Sequence, residues 1–403
     1  MPENSNTDRQ IDHRTVIVII AVILSMTFAI RSSNNMYVTS VPLLARYYFF
    51  YSNVEIGLLA SAASLTTFIM STFINARAES KTRRKIFIIS SIIYAVTFPL
   101  FYISTPFTIW IILPVASFTL GSIMPNIITS ASLFKDKRQR ERILSIYTLT
   151  LSLSLILGPY IESELLHYVS FQESFLVFSI LPAVGMIDSF FIKFPDEMGV
   201  RRRGFDITVL KDKGFQSSLL NILAYNIPFA FLTTYGGLFG ISDFNINIST
   251  VNLTFSLFFL TSFISRLVFS VRVPERLPRL MFSAVILSAI GLLVLGTAKS
   301  YDYFMLAFLI LGIPHGLTYP LSVMSITRSF PENRRNMANS YFFSIMMAIG
   351  TVMPFISGEV IKIVGYRNAF LVVIPVIFVI LATLYIVLKA KEREESTSTM
   401  EKT

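Results

Sequence analysis

The sequence lacks the residues on which much enzyme and metal chemistry depends. None of its 403 residues is cysteine, which excludes disulfides, thiol catalysis and thiolate metal sites. Its three histidines lie far apart in the chain, so a histidine-based metal site is not expected. The chain has no phosphate-binding loop and no recognisable nucleophile–base arrangement. These absences predict a protein that is not an enzyme and needs neither a cofactor nor a metal.

Charged residues are also scarce. They make up 14% of the chain, against 53% hydrophobic residues and a mean hydropathy of +0.65. Soluble proteins of this length carry far more charge. The net charge of +10 would suit a nucleic-acid partner, but the basic residues lie in short loops between apolar segments. The composition therefore predicts a protein that crosses the lipid bilayer several times and binds no nucleic acid.

Twelve apolar segments are long enough to cross a bilayer, since about 20 helical residues span its ~30 Å core. They are predicted at 15–40, 54–75, 86–104, 107–133, 143–165, 174–193, 215–240, 250–271, 280–298, 302–327, 337–361 and 369–389. We predict an all-α polytopic fold of twelve transmembrane helices in two pseudo-symmetric six-helix bundles. The predicted parts are a tail at 1–14, a bundle at 15–193, a charged linker at 194–214, a bundle at 215–389 and a tail at 390–403.

Lysine and arginine are concentrated in alternate loops, among them the clusters at 77–85, 135–142 and 193–213. The loops on the opposite side carry few basic residues. Because basic loops remain in the cytoplasm, this asymmetry predicts that both termini are cytoplasmic, and we assign the protein to the plasma membrane.

One pattern of landmarks occurs twice, at an offset of 195 residues. The first copy consists of Gly121, Pro125, Pro159 and Phe175, and the same residue types recur at 316, 320, 354 and 370. Each copy also carries a basic cluster between its second and third landmarks. A match at a fixed period indicates duplicated architecture, so the two bundles are predicted to be similar halves.

The loop after the second predicted span runs Asn75-Ala-Arg-Ala-Glu79-Ser-Lys-Thr82-Arg-Arg84-Lys85. It resembles the Gly-x-x-x-Asp-(Arg/Lys)-x-Gly-x-(Arg/Lys)-(Arg/Lys) loop of the major facilitator superfamily. Glu79 keeps the acid, and Arg84 and Lys85 keep the basic pair. Asn75 and Thr82 replace the two glycines, which predicts a looser turn.

The resemblance implies that this loop belongs to a cytoplasmic gate, in which charged side chains pair across the two halves and separate on opening. A weaker copy of the motif occupies the corresponding place in the second half. The predicted gate residues are Glu79, Arg84, Lys85, Arg138, Glu275 and Arg276. The alternative is that the basic residues only orient the loops.

Two further motifs fit the same superfamily. Gly121-x-x-x-Pro125 is similar to its fourth span, and Gly158-Pro159 to a fifth-span motif associated with antiporters. The fourth-span arginine of proton-coupled drug exporters is absent near Leu113, so proton coupling stays open. The resemblance implies a monomeric secondary transporter that moves a small-molecule substrate by alternating access.

In this family, spans one, four, seven and ten surround the substrate cavity. Polar residues within those spans are expensive in lipid and therefore mark the cavity. The substrate-binding candidates are Arg31, Asn34, Asn35, Asn126, Tyr225, Asn226, His315 and Tyr319. Arg31, Asn34 and Asn35 share one helical face. Counted from residue 15, Arg31 is expected beyond the midplane towards the outside, where it would bind an anion or reach the outer headgroups.

Few acids lie in the predicted spans. Asp188 and Glu162 are the candidates for proton coupling. Asp188 would either pair with Lys193 or titrate, and Glu162, near the outer end of the fifth span, is expected to be solvated.

Two substrate classes remain compatible with the sequence. The Phe-rich, Met-containing spans favour export of amphipathic compounds, whereas Arg31 favours uptake of an organic anion. A third alternative is a transporter-like sensor or structural membrane protein that moves nothing. The replaced motif glycines motivate that alternative.

Overall fold

The computed structural model describes residues 13–131, 137–194, 206–271 and 276–400. Within these ranges every regular element is a helix. The helices of the first half are α1 (His13–Tyr47), α2 (Asn53–Ile69), α3 (Ser80–Thr97), α4 (Ile109–Ala131), α5 (Lys137–Leu165), α6 (Phe171–Phe178) and α7 (Ile180–Ser189). Those of the second half are α8 (Thr208–Lys211), α9 (Lys213–Phe244), α10 (Ile248–Val271), α11 (Leu277–Thr297), α12 (Tyr301–Ser329) and α13 (Glu332–Met400).

Eleven helical stretches of the described chain are long and apolar enough to cross a membrane. The last of them, Met337–Arg393, has 57 residues, about 85 Å of helix, which is far more than one crossing needs. It is interrupted at Gly365, whose φ of 77° and ψ of 169° are not helical. The two segments on either side of Gly365 supply two crossings. The prediction of an all-α fold with twelve transmembrane helices is confirmed.

The first span is longer than predicted. Its helix, α1, continues past residue 40 to Tyr47, and it contains Pro42 without ending there. A proline within a membrane helix removes one backbone hydrogen bond, and in a bundle the neighbouring elements tolerate this loss. The centre of α1 therefore lies further along the chain than the predicted span implied.

Serine and glutamate three residues apart begin two of the helices. At the start of α2, the Ser52 hydroxyl accepts a hydrogen bond from the Glu55 amide (3.3 Å), while the Glu55 carboxylate accepts from the Ser52 amide (2.7 Å). Ser170 and Glu173 make the same reciprocal pair at the start of α6. This capping box satisfies amides that a helix start leaves unpaired.

The end of the second span departs from regular α-helix. A π-helical turn at Met70–Ile74 is followed by a 3-10 turn at Asn75–Arg77. Asn75, which replaces the first motif glycine, is buried and accepts a hydrogen bond from Asn126 of α4 (2.8 Å). The replaced glycine thus coincides with a change in helix type and with a contact between the second and fourth spans.

The duplicated glycines, Gly121 and Gly316, each allow two helices to approach closely. A Cβ on Gly121 of α4 would lie 2.5 Å from the carbonyl oxygen of Thr67, in α2. A Cβ on Gly316 of α12 would collide with the carbonyl oxygen of Ser262, in α10. In the first half the fourth span packs on the second, and in the second half the tenth span packs on the eighth. The two pairs occupy equivalent positions in the two halves. The repeat in the sequence therefore corresponds to a repeated close approach of two backbones.

We expect Gly316→Ala to destabilise the protein by about 1–3 kcal/mol, because the added methyl group forces α12 away from α10. The matched control is Gly350→Ala in α13, where a Cβ would meet nothing within 4 Å. That control should leave stability unchanged or raise it by up to about 1 kcal/mol, since alanine favours helix. Thermal unfolding in detergent measures both. Equal shifts in the two variants would contradict the packing role of Gly316.

Candidate functional site

Side chains of one half bind backbone carbonyls of the other half at one end of the molecule. The Tyr235 hydroxyl of α9 lies 2.7 Å from the carbonyl oxygen of Asn53 in the first half, and 3.1 Å from that of Pro354 in its own half. The Tyr366 hydroxyl donates to the Asn53 side-chain oxygen (2.7 Å). Asn53 begins α2, so these bonds lie where the turn at 47–53 joins the first two spans. We call this the closed end.

A second seam joins α5 and α10 at the same end. The hydroxyls of Ser163 and Ser249 lie 2.9 Å apart, and each is also 2.9 Å from the other residue's carbonyl oxygen. The Ser256 hydroxyl donates to the Ile156 carbonyl (2.8 Å). Ser163 lies near the end of α5, and Ser249 near the start of α10. Both seams therefore hold the halves together far from the end where α1 and α9 begin, which we call the termini end.

A cavity of about 340 Å³ lies between the halves. Its volume is in the range of small-molecule sites. Its lining is mainly apolar with several amides and hydroxyls, and includes Asn34, Tyr37, Val38, Leu59, Asn226, Phe229 and Thr233. A more open depression of about 460 Å³, between 166–171 and 241–249, lies on the outer surface of the closed end. The cavity between the halves is the candidate substrate site.

The walls of the cavity differ from the expected set of spans. The lining residues come from α1, α2, α4, α9 and α13, which are the first, second, fourth, seventh and eleventh spans. The tenth span, α12, contributes none of them. The ring of Phe229 in α9 stacks on His315 of α12 at 4.7 Å and separates that helix from the cavity. The expectation that the tenth span lines this cavity is wrong for that reason.

Arg31 lies at the centre of the first span, not towards the outside. It is 16 residues, or ~24 Å of helix, from Tyr47 and 18 residues from His13. The predicted depth is wrong because α1 extends to Tyr47. From the middle of the span the side chain is too short to reach either headgroup layer. Within the described chain Arg31 is half-buried and forms no ion pair.

Two predicted amides face each other across the cavity. Asn34 lines it from α1 and Asn226 from α9. Asn35, the next residue in α1, is 5% exposed, and its amide nitrogen has no hydrogen-bond partner in the described chain. Asn126 is elsewhere: it is buried and donates to Asn75 and to the Ser122 carbonyl (2.9 Å), so it joins two helices of the first half.

Tyr225 and His315 form a layer behind Phe229, in contact with its ring. His315 Nδ1 lies 2.8 Å from the Ser262 hydroxyl, and its ring is 5.5 Å from the ring of Tyr225. Tyr225 is 2% exposed, and its hydroxyl has no hydrogen-bond partner among the described residues. Tyr319, one turn after His315 in α12, is exposed on one side. The structure thus brings Tyr225 and His315 together, whereas the ring of Tyr319 contacts Phe342 and Phe343 of α13.

Arg266 belongs to this layer and is a residue that the sequence analysis did not select. It lies in α10, four residues after Ser262, and its Nε is buried without a hydrogen-bond partner in the described chain. Its charge acts on Tyr225 and His315. Arg266 lies five residues before Val271, where α10 ends, so in the sequence it stands close to the loop that follows. A lone arginine in an otherwise apolar segment was the available signal.

Glu162 is fully buried, which contradicts the expectation of a solvated carboxylate. One carboxylate oxygen accepts a hydrogen bond from Ser40 of α1 (2.5 Å), and the other has no partner in the described chain. Asn252 of α10 lies beside it. The residue is buried because α5 is covered by α1 on one side and by α10 of the other half, which the sequence could not indicate.

Asp188 lies near the end of α7, half-buried beside Ser25 of α1. One of its carboxylate oxygens has no hydrogen-bond partner among the described residues. Lys193 is exposed, and the described chain shows no ion pair between the two. Pairing is not seen in this structure, and the coupling role of Asp188 stays a prediction.

The predicted gate residues are separated in this structure. Glu79, Arg84, Lys85 and Arg276 are exposed, and no ion pair joins them within the described ranges. Glu275 lies outside the described residues, as does the side chain of Arg138. The gate stays a prediction that concerns another conformation.

The linker itself carries an ion pair to the second half. Arg334 at the start of α13 is 2.7 Å from the Asp206 carboxylate, and the Asp206 amide donates to the Tyr341 hydroxyl (2.8 Å). The hydroxyl and amide of Thr208, followed by the Arg334 guanidinium, hold the pKa of the Asp206 carboxyl below its usual range. This contact attaches the end of the linker to α13.

A sequence profile of the Major Facilitator Superfamily matches residues 23–242 and 217–403. The chain belongs to this superfamily of membrane transporters, and it is a multi-pass membrane protein and not an enzyme. A multi-drug resistance efflux pump PmrA homolog of Lactococcus lactis subsp. lactis (strain IL1403) is 22% identical over 135 residues. That match covers 33% of this chain and 33% of the relative, so it spans about a third of the relative's length.

Solved structures confirm the fold at low sequence identity. The nucleoside transporter NupG superposes with a TM-score of 0.71 at 14% identity, over 92% of this chain and 99% of that one. A bacterial homolog of the human lysosomal transporter Spinster, inward-facing and occupied, superposes with a TM-score of 0.70 at 12% identity. The match covers 93% of this chain and 96% of that one. A POT family transporter in complex with 5-aminolevulinic acid superposes with a TM-score of 0.71 at 12% identity, over 93% of this chain and 96% of that one.

Because the chain has no cysteine, one introduced thiol can report access to the cavity. In Val38→Cys, a cavity position, we expect a membrane-impermeant maleimide to react from the termini end and not from the closed end. Adding Tyr235→Phe removes the hydrogen bonds to Asn53 and Pro354, so labelling from the closed end should increase several-fold. Labelling rates in proteoliposomes of known orientation measure this.

The control is Tyr160→Phe in the same Val38→Cys background. Tyr160 is 44% exposed on α5 and should not alter labelling. Rapid reaction from the closed end without Tyr235→Phe would show that the seams do not seal the cavity.

Proposed function

We propose that the protein is a secondary active transporter that moves a small organic solute by alternating access. The observation that carries this proposal is the cavity between the halves, which hydrogen bonds across the halves close at one end. Rocking of one half on the other would open the closed end and shut the termini end. The Tyr235 and Ser163–Ser249 seams are the contacts that would break.

We propose that the termini end faces the cytoplasm of a plasma membrane. The basic loops at 77–85 and 135–142 lie between spans at that end, and such loops stay cytoplasmic. The described state is then inward-facing, which is also the state of the Spinster homolog structure. In this state Glu79 and Arg84 are solvated, as a gate that has opened requires.

The working unit is one chain divided into two bundles, at 15–193 and 215–389, joined by the linker at 194–214. The end of α7 at Ser189 and the start of α9 at Lys213 support these limits. Both walls of the cavity come from a single chain, so a monomer suffices.

The apolar lining, with Val38, Leu59 and Phe229, supports an amphipathic substrate, as does the short match to an efflux pump. Arg31 at mid-span supports an anionic one. A protein that moves nothing is the alternative, and a cavity of this size at the interface of the halves argues against it.

Proton coupling would operate through Glu162. The groups that face it are Ser40 of α1 and Asn252 of α10, and neither carries a charge. A carboxylate buried without a cation is costly, whereas the neutral acid is tolerated. The closed end therefore favours the protonated acid. When α5 and α10 separate, water reaches the carboxyl group and the proton can leave to the outside.

Ser163→Cys with Ser249→Cys tests alternating access. Their hydroxyls are 2.9 Å apart, so the two thiols can form a disulfide, and no native cysteine competes. We expect oxidation to hold the closed end shut and abolish solute flux in proteoliposomes, and a reductant to restore it. Each single variant, treated with the same oxidant, is the control.

Flux that continues through the oxidised double variant would contradict the rocking mechanism. A broad panel of organic anions, cations and dyes that yields no flux in the untreated protein would favour the non-transporting alternative.

Glu162→Gln tests proton coupling, since glutamine keeps a polar group beside Ser40 and cannot release a proton. We expect uphill transport driven by a pH gradient to be lost, while exchange of solute for solute at equal pH persists. The matched control is Glu164→Gln, an exposed acid two residues away on α5. Gradient-driven transport that survives in Glu162→Gln would remove this residue from the coupling mechanism.

A further inference from the structure

Arg266 is a half-buried cation within the eighth span, and the transport scheme so far has no use for it. Its Nε has no hydrogen-bond partner in the described chain, and no ion pair there includes it. Tyr225 and Tyr319 lie close enough to interact with its charge. An unpaired charge inside a membrane protein is expensive, so it is retained for a function.

The surrounding contacts show which way Arg266 faces. Ser262, one helical turn earlier in α10, holds His315 of α12 (2.8 Å), so this face of α10 is directed at α12. His315 in turn packs against Tyr225 of α9 and against Phe229, the ring that lines the cavity. Arg266 thus lies one turn towards the termini end from the inner wall of the cavity.

Tyr225 offers a second unsatisfied group at the same place. It is 2% exposed, and its hydroxyl has no hydrogen-bond partner among the described residues. It precedes Asn226, whose side chain lines the cavity. The Tyr225 hydroxyl and the Nε of Arg266 are both donors without an acceptor in the described chain, and such donors are complementary to an oxyanion.

Arg31 approaches the same region from the other half. It lies one turn before Asn34 on α1, and its charge acts on Arg266 and on Tyr37. Neither arginine forms an ion pair within the described chain, and two like charges in the same region repel. An anion between them would remove that repulsion and would bind both halves at once.

We propose that Arg266 and Arg31 bind the acidic head of an amphipathic organic anion whose apolar body occupies the cavity. This inference rests on the proposed function and names its substrate class. The body lies against Val38, Leu59 and Phe229. The two substrate properties that the sequence left as alternatives, apolar and anionic, then belong to one molecule.

The site distinguishes such an anion from a neutral analogue of equal shape. A guanidinium fork can donate two parallel hydrogen bonds to a carboxylate or phosphate. An uncharged amide leaves both arginines unpaired in a site of low polarity, and a site built for hydrogen bonds rejects such analogues strongly.

Equilibrium binding to the purified full-length protein tests this without requiring transport. The probes are 2-naphthoate, 2-naphthyl phosphate and the neutral 2-naphthamide. We expect at least one of the anions to bind tenfold or more tightly than the amide. Arg266→Gln and Arg31→Gln should each reduce anion affinity at least tenfold, with Arg266→Lys intermediate because it keeps charge and loses the fork.

Binding of 2-naphthamide should be unchanged in Arg266→Gln, which shows that the variant is folded. Arg142→Gln, an exposed arginine of α5, is the matched control and should bind all three probes like the unaltered protein. The proposal is overturned if neither anion binds more tightly than the amide, or if Arg266→Gln leaves anion affinity intact.

These outcomes are separate from those of the disulfide experiment. If the protein transports solute but shows no preference for anions, only the proposed substrate class is contradicted. If anion binding depends on the arginines but the protein moves no solute, only the proposed transport function is contradicted.

Discussion

Hydrogen bonds from one half to backbone carbonyls of the other are the contacts on which the rest of the structure depends. In lipid there is little hydrophobic force between helices, so two bundles associate through packing and specific polar contacts. Tyr235, Ser163 and Ser249 supply such contacts at the closed end. They close the cavity on one side, and they would have to break for the closed end to open.

The polar residues within the spans divide into those that hold helices together and those that remain unsatisfied. Asn126 is bonded to Asn75 within the first half, and Ser262 is paired with His315 within the second. The Nε of Arg266, the Tyr225 hydroxyl and one oxygen of Glu162 have no partner in the described chain. Glu162 lies at the seam between the halves, and a substrate or a proton would complete such groups.

Much of the fold could be predicted because lipid imposes a simple rule on sequence. Each crossing needs about 20 apolar residues, and the apolar runs separated by charged loops supplied the count and the repeat. The duplicated Gly121 and Gly316 pack in equivalent ways, as the offset of 195 residues suggested. Helix ends were less predictable: α1 passes through Pro42, because neighbouring helices tolerate the lost bond.

The sequence by itself determined the class of protein, the two similar halves and the scarcity of charge within the spans, because these depend on composition and order along the chain. Only the tertiary structure decided which polar residues meet. Arg266 and Arg31 are 235 positions apart in the sequence, and Glu162 is buried by helices of both halves. Burial and proximity arise when helices distant in the chain pack together, and no local pattern records that packing.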